Sequence, residues 1–153
     1  MKFGTSTPKQ LNLIAEGLVS AQDPLAITGY SGRNTTVVLS IVDLANIAKR
    51  LRVLDTMCSD LCYPADHPGQ LGVMYGSDEA IRTADMMFGL DCNATWTSTQ
   101  CKPANSAKIF HFDIDHSKNQ MPVFYIDAIL RCRVNTNELD SSNPCKILYN
   151  NLT

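Results

Sequence analysis

Two stretches in the second half of the chain, residues 107–115 and 121–134, alternate between apolar and polar side chains at every second position. Successive side chains on a β-strand point to opposite faces, so this period of two predicts two strands. On the first strand Phe110, Phe112 and Ile114 share one face. The other face carries an aliphatic residue and three polar ones, namely Ile109, His111, Asp113 and Asp115. We expect the two strands to pair as an antiparallel hairpin.

The loop length of such a hairpin decides which residues lie opposite each other. If residues 116–120 form the loop, even-numbered residues pair with even-numbered ones, and odd with odd. The apolar faces of both strands consist of even-numbered residues, so they then lie on the same side of the hairpin. His111 would lie opposite Tyr125, and Ile109 opposite Asp127. The pairing predicts that the polar face gathers a histidine, three acids, a tyrosine and two arginines: His111, Asp113, Asp115, Asp127, Tyr125, Arg131 and Arg133.

Three interpretations of this polar face remain open. The favoured one is the solvent-facing side of a half-buried antiparallel sheet, where alternation is expected. The second is a divalent-metal site, because oxygen and imidazole ligands suit such ions, with the ligands His111, Asp113, Asp115 and Asp127. The third is a face that contacts a ligand or a partner protein through Tyr125, His111 and the two arginines.

The first half of the chain predicts a helix followed by a hairpin. Thr7-Pro8-Lys9-Gln10 is a capping box, and the helical spacing of apolar residues after it extends to about Ala21. Residues 25–30 and 35–39 are short, apolar or β-branched segments. The turn-forming sequence 31–34 between them predicts an antiparallel hairpin.

Two further helices follow. Ser40-Ile41-Val42-Asp43 is a second capping box, and apolar residues spaced three and four apart predict a long helix from there to Leu61. A loop is predicted over 63–76, and a shorter helix from Ser77 to a stop at Gly89. The fold class is therefore expected to be α+β, with an antiparallel sheet built from two hairpins and three helices packed mainly on one face, in a single globular domain, 1–153.

The composition excludes several partners. With 153 residues, 44% hydrophobic and 18% charged residues, and a formal net charge of −2, the chain is globular and lacks the basic surface of nucleic-acid binders. No run approaches the roughly 20 apolar residues of a membrane span, and the N-terminus shows no secretion signal, so a cytoplasmic location is expected. In that compartment the six cysteines are expected to be thiols that serve as small apolar residues: Cys58, Cys62, Cys92, Cys101, Cys132 and Cys145.

Two other patterns resemble chemical sites. Cys58 and Cys62 followed by His67 have the spacing of zinc ligands, but a structural zinc site needs four ligands, and core thiols are the favoured reading. The turn 29–34 could cradle phosphate, with Arg33 as its positive charge, but a simple turn built on Gly32 and Asn34 is the favoured explanation.

No recognisable catalytic set is present, which favours a non-enzymatic intracellular binding or assembly protein of the accessory or small viral kind. We expect it to associate with itself or with another protein, without a cofactor. The first alternative is a metal-dependent phosphoester hydrolase that uses the four predicted metal ligands, in which case a divalent metal is required. The second is a protein that sequesters a small anionic or nucleotide ligand through the polar residues Arg33, Tyr125, Arg131 and Arg133.

Overall fold

The computed structural model describes residues 8–56, 60–73, 79–93, 96, 101–113, 128 and 130–133. Helices and strands alternate along most of this part of the chain. In order, the elements are α1 (Pro8–Ser20), β1 (Pro24–Thr28), a 3₁₀ turn (Ser31–Arg33), α2 (Thr35–Ile47), β2 (Arg52–Asp55), β3 (Gln70–Val73), α3 (Glu79–Thr83), β4 (Met86–Leu90), β5 (Lys108–Asp113) and β6 (Leu130–Arg133). Within these ranges no helix is long and apolar enough to cross a membrane.

All six strands form one parallel sheet in the order β3-β2-β1-β4-β5-β6. The predicted antiparallel sheet of two hairpins is therefore wrong. Ala26 of β1 pairs with Val53 on one side and with Phe88 on the other. The strand order reverses between β1 and β4, because the chain first builds outward from β1 to β3 and then returns to build in the other direction. This is the order of doubly wound α/β folds.

Helices cover both faces of the sheet, so the central strands are buried on both sides. All five residues of β1 are buried, and so are all five of β4. Ile14 of α1 and Ile41 of α2 pack on one face, and Ile81 of α3 packs on the other. Strands covered on both faces consist of apolar runs with no wet side. The expectation that three helices lie mainly on one face is therefore wrong.

The first face is filled by residues at alternate positions of the strands. Phe88 and Phe110 are register partners on β4 and β5, and their rings stack with centroids 6.1 Å apart. Both are almost completely buried. Burial of each such side chain stabilises the fold by about 1.5–3 kcal/mol before the loss of chain entropy is counted. The neighbouring strand residues, Met87 and Ile109, point into the core on the other face.

The predicted first hairpin contains one real strand and the start of a helix. Residues 25–30 include most of β1, but the β-branched residues 35–38 form the first turn of α2. Asn34 caps this helix, because its side-chain oxygen accepts the N–H of Thr36 at 3.0 Å. The buried face of α2, which includes Ile41 and Leu44, outweighs the weak helix propensity of its first turn.

The predicted long helix ends far short of Leu61. α2 stops at Ile47, and the apolar spacing beyond it belongs to β2, in which Val53 and Leu54 are buried on opposite faces of the sheet. The predicted third helix is also too long, because α3 stops at Thr83 and the residues that follow form β4. The strand β3 lies inside the predicted loop 63–76. The first helix is confirmed as α1.

The second predicted hairpin has strands at the expected places but in the wrong direction. β5 and β6 are parallel, so His111 pairs with Arg131 and not with Tyr125. The face that carries His111 and Asp113 is buried, with exposed fractions of 1% and 3%. The interpretation of this row as a wet face is wrong, because the α3 side of the sheet is covered as well.

The outer strand β3 pairs irregularly with β2. Val53 pairs with Gln70 and Asp55 with Val73, so the register shifts between the two pairs. Gly72 lies within this irregularity and has a φ of 111°, a backbone conformation that favours glycine.

Candidate functional site

Buried polar side chains concentrate at the carboxyl ends of the strands. Thr28 ends β1, Asp55 and Thr56 end β2, and His111 and Asp113 lie at the end of β5; all five are at most 4% exposed. In a parallel sheet these ends share one edge, which we call the carboxyl edge. Ligands of open α/β sheets bind outside this edge, where the strand order reverses. The candidate site is therefore the crevice between the loops that follow β1 and β4.

The loop after β1 is tied to the loop after β4 by hydrogen bonds. The Thr28 hydroxyl donates to Ser31 Oγ at 2.7 Å, and the Ser31 hydroxyl donates to the Leu90 carbonyl at 3.3 Å. The Tyr30 backbone N–H donates to the Asp91 carbonyl at 2.9 Å. Asp91 has a φ of 44°, which turns the chain sharply at the end of β4. The two loops thus meet across the crevice.

The loop after β1 is also held by the loop after β2, through contacts that we call the clasp, formed by residues 30–33 and 60–62. The Gly32 N–H lies 3.3 Å from the Cys62 sulfur, and the Cys62 N–H donates to Asp55 Oδ2 at 3.1 Å. The chain comes so close here that a Cβ on Gly32 would lie 2.6 Å from the Leu61 carbonyl oxygen. A side chain of any size at this position would push the two loops apart.

An ion pair and a cation–π contact add to the clasp, and both involve Arg33. Arg33 Nε lies 3.3 Å from Asp60 Oδ2, and the Arg33 guanidinium sits 4.7 Å above the centre of the Tyr30 ring. The Tyr30 hydroxyl accepts the side-chain N–H of Asn93 at 3.4 Å. The Arg33 side chain is nevertheless 66% exposed, so the ion pair contributes at most about 1 kcal/mol.

The thiols near this edge are not activated nucleophiles. Burial raises the pKa of the Cys62 thiol, and the nearby Asp55 carboxylate raises it further. Burial, followed by the charge of Asp113, raises the pKa of Cys92 strongly. A reactive cysteine needs a lowered pKa. Cys62, Cys92 and Cys101 are buried, as expected for thiols used as apolar residues; Cys58 lies outside the described residues.

His111 is held beside the strand end by backbone groups. Its Nε2 donates to the Cys92 carbonyl at 3.1 Å and lies 3.6 Å from Asp113 Oδ2. The imidazole fits because Gly89 lies opposite it on β4: a Cβ on Gly89 would be 2.8 Å from His111 Cδ2. The glycine in β4 thus makes room for a histidine on β5.

The structure describes only part of the predicted metal set. His111 and Asp113 lie together, whereas Asp115 and Asp127 fall outside the described residues. Across the ranges that the structure describes, no three His, Cys, Asp or Glu side chains converge as metal ligands. The four-ligand site stays a prediction.

The structure describes the predicted ligand-binding residues only in part, and the set Arg33, Tyr125, Arg131 and Arg133 stays a prediction. The backbones of Arg131 and Arg133 lie in β6, paired in register with His111 and Asp113. β6 is three strands away from β1, about 14 Å across the sheet. Tyr125 lies outside the described residues.

Sequence reasoning missed Thr28 and Asp55 of the candidate site, and it considered Cys62 only as a zinc ligand or core thiol and Tyr30 only as part of the turn 29–34. The available signal was the position of polar residues directly after apolar runs, as in PLAIT and RVLD. Only with parallel strands do such positions meet at one edge, so the antiparallel prediction concealed them.

Comparisons with solved structures find a similar fold within two longer proteins. No protein-family model matches the chain, and no curated protein matches it. A thiamine diphosphate-dependent 4-hydroxybenzoylformate decarboxylase from Rhodococcus jostii RHA1 is similar, with 17% identity, a TM-score of 0.64, and coverage of 95% of this chain. A benzoylformate decarboxylase from Polynucleobacter necessarius is similar at 15% identity and a TM-score of 0.61 over 94% of this chain.

This chain spans 27% of the length of either decarboxylase, and at these identities the likeness shows the fold alone. The similar proteins are decarboxylases, and this finding contradicts the prediction of a non-enzymatic binding or assembly protein. The hydrolase and ligand-sequestering alternatives assumed an antiparallel sheet and are not retained.

Proposed function

We propose that the chain forms one domain of a thiamine diphosphate-dependent enzyme that decarboxylates a 2-oxo acid. The observation that carries the proposal is the likeness to two such decarboxylases over 94–95% of this chain and about a quarter of theirs. A likeness of this extent corresponds to a whole folding unit within a longer enzyme. The remaining three-quarters of those enzymes then have to supply what this domain lacks.

The carboxyl edge is the side of the domain that we assign to the reaction centre. Ligands of this kind of sheet bind there, and the described polar residues with the deepest burial gather there. The clasp fixes the loops after β1 and β2 in one arrangement and so holds Arg33 in place, and Asn93 is joined to it through its hydrogen bond to Tyr30. These residues orient and shield; they are not assigned a proton transfer.

The described residues do not fit thiamine diphosphate itself. A bound diphosphate needs cations or a divalent metal to balance its charge. The described ranges contain no cluster of three potential metal ligands, and the Arg33 guanidinium is paired with Asp60. When bound, the cofactor supplies the carbanion-stabilising chemistry of decarboxylation, and it would be held by other parts of the enzyme.

The experiment is to tag this chain in its own cell, purify the assembly that contains it, and measure CO₂ release from benzoylformate and other 2-oxo acids. We expect release that depends on added thiamine diphosphate and Mg²⁺. Absence of cofactor-dependent release from every 2-oxo acid would overturn the proposal.

Two arginine variants test the assigned edge. Arg33→Ala alters the carboxyl edge, and Arg50→Ala alters the loop before β2 at the opposite edge. We expect kcat/KM to fall by about tenfold or more in the first, which corresponds to one lost polar contact, and to stay within about twofold in the second. Equal effects would show that the edge is wrongly assigned.

Two earlier expectations carry over as proposals. A cytoplasmic location is proposed, and fractionation of cells that contain the tagged chain tests it. Self-association is likewise proposed, and the mass of the purified chain by light scattering tests it.

A further inference from the structure

We propose that the crevice at the carboxyl edge of this domain is closed to nucleotides and that Tyr30 closes it. The strand order β3-β2-β1-β4-β5-β6 is that of the fold in which dinucleotides bind between the loops after β1 and β4. The fold therefore defines where a nucleotide would lie, and the contacts at that place decide whether it can. This inference does not depend on the proposed enzymatic activity.

A nucleotide bound in this way uses two features of the protein. The first is an open turn after β1, whose backbone N–H groups face the pyrophosphate at the start of the next helix. The second is an acidic side chain near the end of β2, which hydrogen-bonds the ribose hydroxyls. Both features have counterparts here: the turn 29–34 leads into α2, and Asp55 ends β2.

The turn after β1 is occupied by contacts within the protein. The Tyr30 N–H donates to the Asp91 carbonyl at 2.9 Å, which joins the two loops that would have to stand apart around a pyrophosphate. The Gly32 N–H is directed at the Cys62 sulfur, 3.3 Å away. Two backbone donors of the turn are thus already in use, on opposite sides of it.

The Tyr30 side chain adds further contacts across the two loops. Its ring lies under the Arg33 guanidinium, with 4.7 Å between the guanidinium carbon and the ring centre. Its hydroxyl accepts from Asn93 at 3.4 Å, so the ring spans from the loop after β1 to the loop after β4. A phosphate group near the helix start would have to displace this ring and separate Arg33 from Asp60.

The acidic residue is also engaged. Asp55 is 3% exposed, and its Oδ2 accepts the Cys62 N–H at 3.1 Å. A ribose hydroxyl could reach it only if residues 60–62 moved away, which would break the clasp. The turn, the ring and the acid are therefore all committed to holding the loops together.

Hydrogen–deuterium exchange on the full chain tests this closure. With ADP, NAD⁺ or FAD added at about 1 mM, a concentration that saturates micromolar sites, we expect unchanged exchange in the segments 28–34, 52–56 and 89–93. Saturable protection of these segments by any of the three nucleotides would overturn the proposal, and Arg33→Ala would identify the binding as local if it abolished that protection.

Two variants test the role of Tyr30. Tyr30→Ala removes the ring, and we expect faster exchange in segments 28–34 and 89–93. Tyr30→Phe keeps the ring and loses only the bond from Asn93, so its exchange should stay near that of the natural chain and show that the position tolerates substitution. If Tyr30→Ala exchanged like the natural chain, Tyr30 would not be the closing residue. Neither result affects the test of decarboxylation.

Discussion

The substitution Gly32→Ala should destabilise the fold, because the one carbon atom that it adds, the Cβ, clashes with the loop 60–62. The added Cβ would lie 2.6 Å from the Leu61 carbonyl oxygen and 2.8 Å from Asp60 Cβ, and the nearest of these atoms belongs to the backbone, which cannot rotate away. The loop 60–62 must therefore move. That movement lengthens the contact from the Gly32 N–H to Cys62 and strains the Arg33–Asp60 pair.

The expected cost combines two effects. Forcing an extra methyl group into a packed contact costs about 1–3 kcal/mol. Weakening a buried hydrogen bond adds about 1 kcal/mol, so the free energy of unfolding should fall by about 2–4 kcal/mol. For a chain of 153 residues, each kcal/mol lowers the melting temperature by about 2–4 °C, so the melting temperature should fall by at least about 4 °C.

Gly17→Ala is the matched control, because it adds the same atom elsewhere. Gly17 lies inside α1, and its added Cβ would meet the end of the flexible Met86 side chain at 3.1 Å. Alanine also favours a helix over glycine by about 0.5–1 kcal/mol. We expect its unfolding free energy to stay within about 1 kcal/mol of the natural value. Urea unfolding followed by circular dichroism measures the unfolding free energy of both variants. A Gly32→Ala chain as stable as the Gly17→Ala control would refute the reasoning.

Three further substitutions test other contacts. Burial raises the pKa of Tyr63 from 10.0 to about 12. Because the unfolded tyrosine loses its proton first, the contribution of Tyr63 to stability should be constant below pH 10 and fall between about pH 10 and pH 12. Tyr63→Phe should remove this part of the decline in urea titrations, and an identical decline in the variant would contradict the assignment. His111→Leu leaves the buried Cys92 carbonyl without its imidazole donor and should cost about 1–3 kcal/mol; an unchanged melting temperature would mean that this bond is unimportant. Arg33→Ala should change stability by at most about 1 kcal/mol, with the difference vanishing in high salt, because the pair with Asp60 is exposed; a larger, salt-independent loss would argue against a surface pair.

Local signals in the sequence located some elements correctly. The capping box and helical spacing predict α1, and the apolar segments at 25–30 and 107–115 coincide with β1 and β5. The prediction that cysteines serve as apolar residues holds for Cys62, Cys92 and Cys101, which are buried. These features depend on neighbouring residues, so they can be read from a short stretch of chain.

The direction of the strands could not be read in this way. His111 and Asp113 alternate with phenylalanines as the residues of a wet face do, yet they are buried, because α3 and the loops after β4 cover that side. Alternation reports polarity and not exposure. The polar residues lie at the strand's carboxyl end, where a parallel sheet collects its functional groups, and only the pairing with β4 and β6 shows this.

The apparent long helix has a similar explanation. The apolar spacing of three and four residues from Leu44 to Leu54 crosses the end of α2, a tight turn and the start of β2. One periodic pattern thus arises from a helix and a strand, and its first residue, Leu44, and its last, Leu54, pack on opposite faces of the sheet. The same pattern places Asp55 within a predicted helix, so the sequence does not show that Asp55 ends a strand at the carboxyl edge.

The irregular strand β3 has a consequence for how copies of the molecule meet. A regular outer strand offers an evenly spaced row of amide and carbonyl groups to which another chain can add. Here the shift in register and the φ of 111° at Gly72 interrupt the regular spacing of the amide and carbonyl groups along β3. At this edge of the described sheet, the irregularity therefore disfavours continuous addition of a strand from a neighbouring molecule.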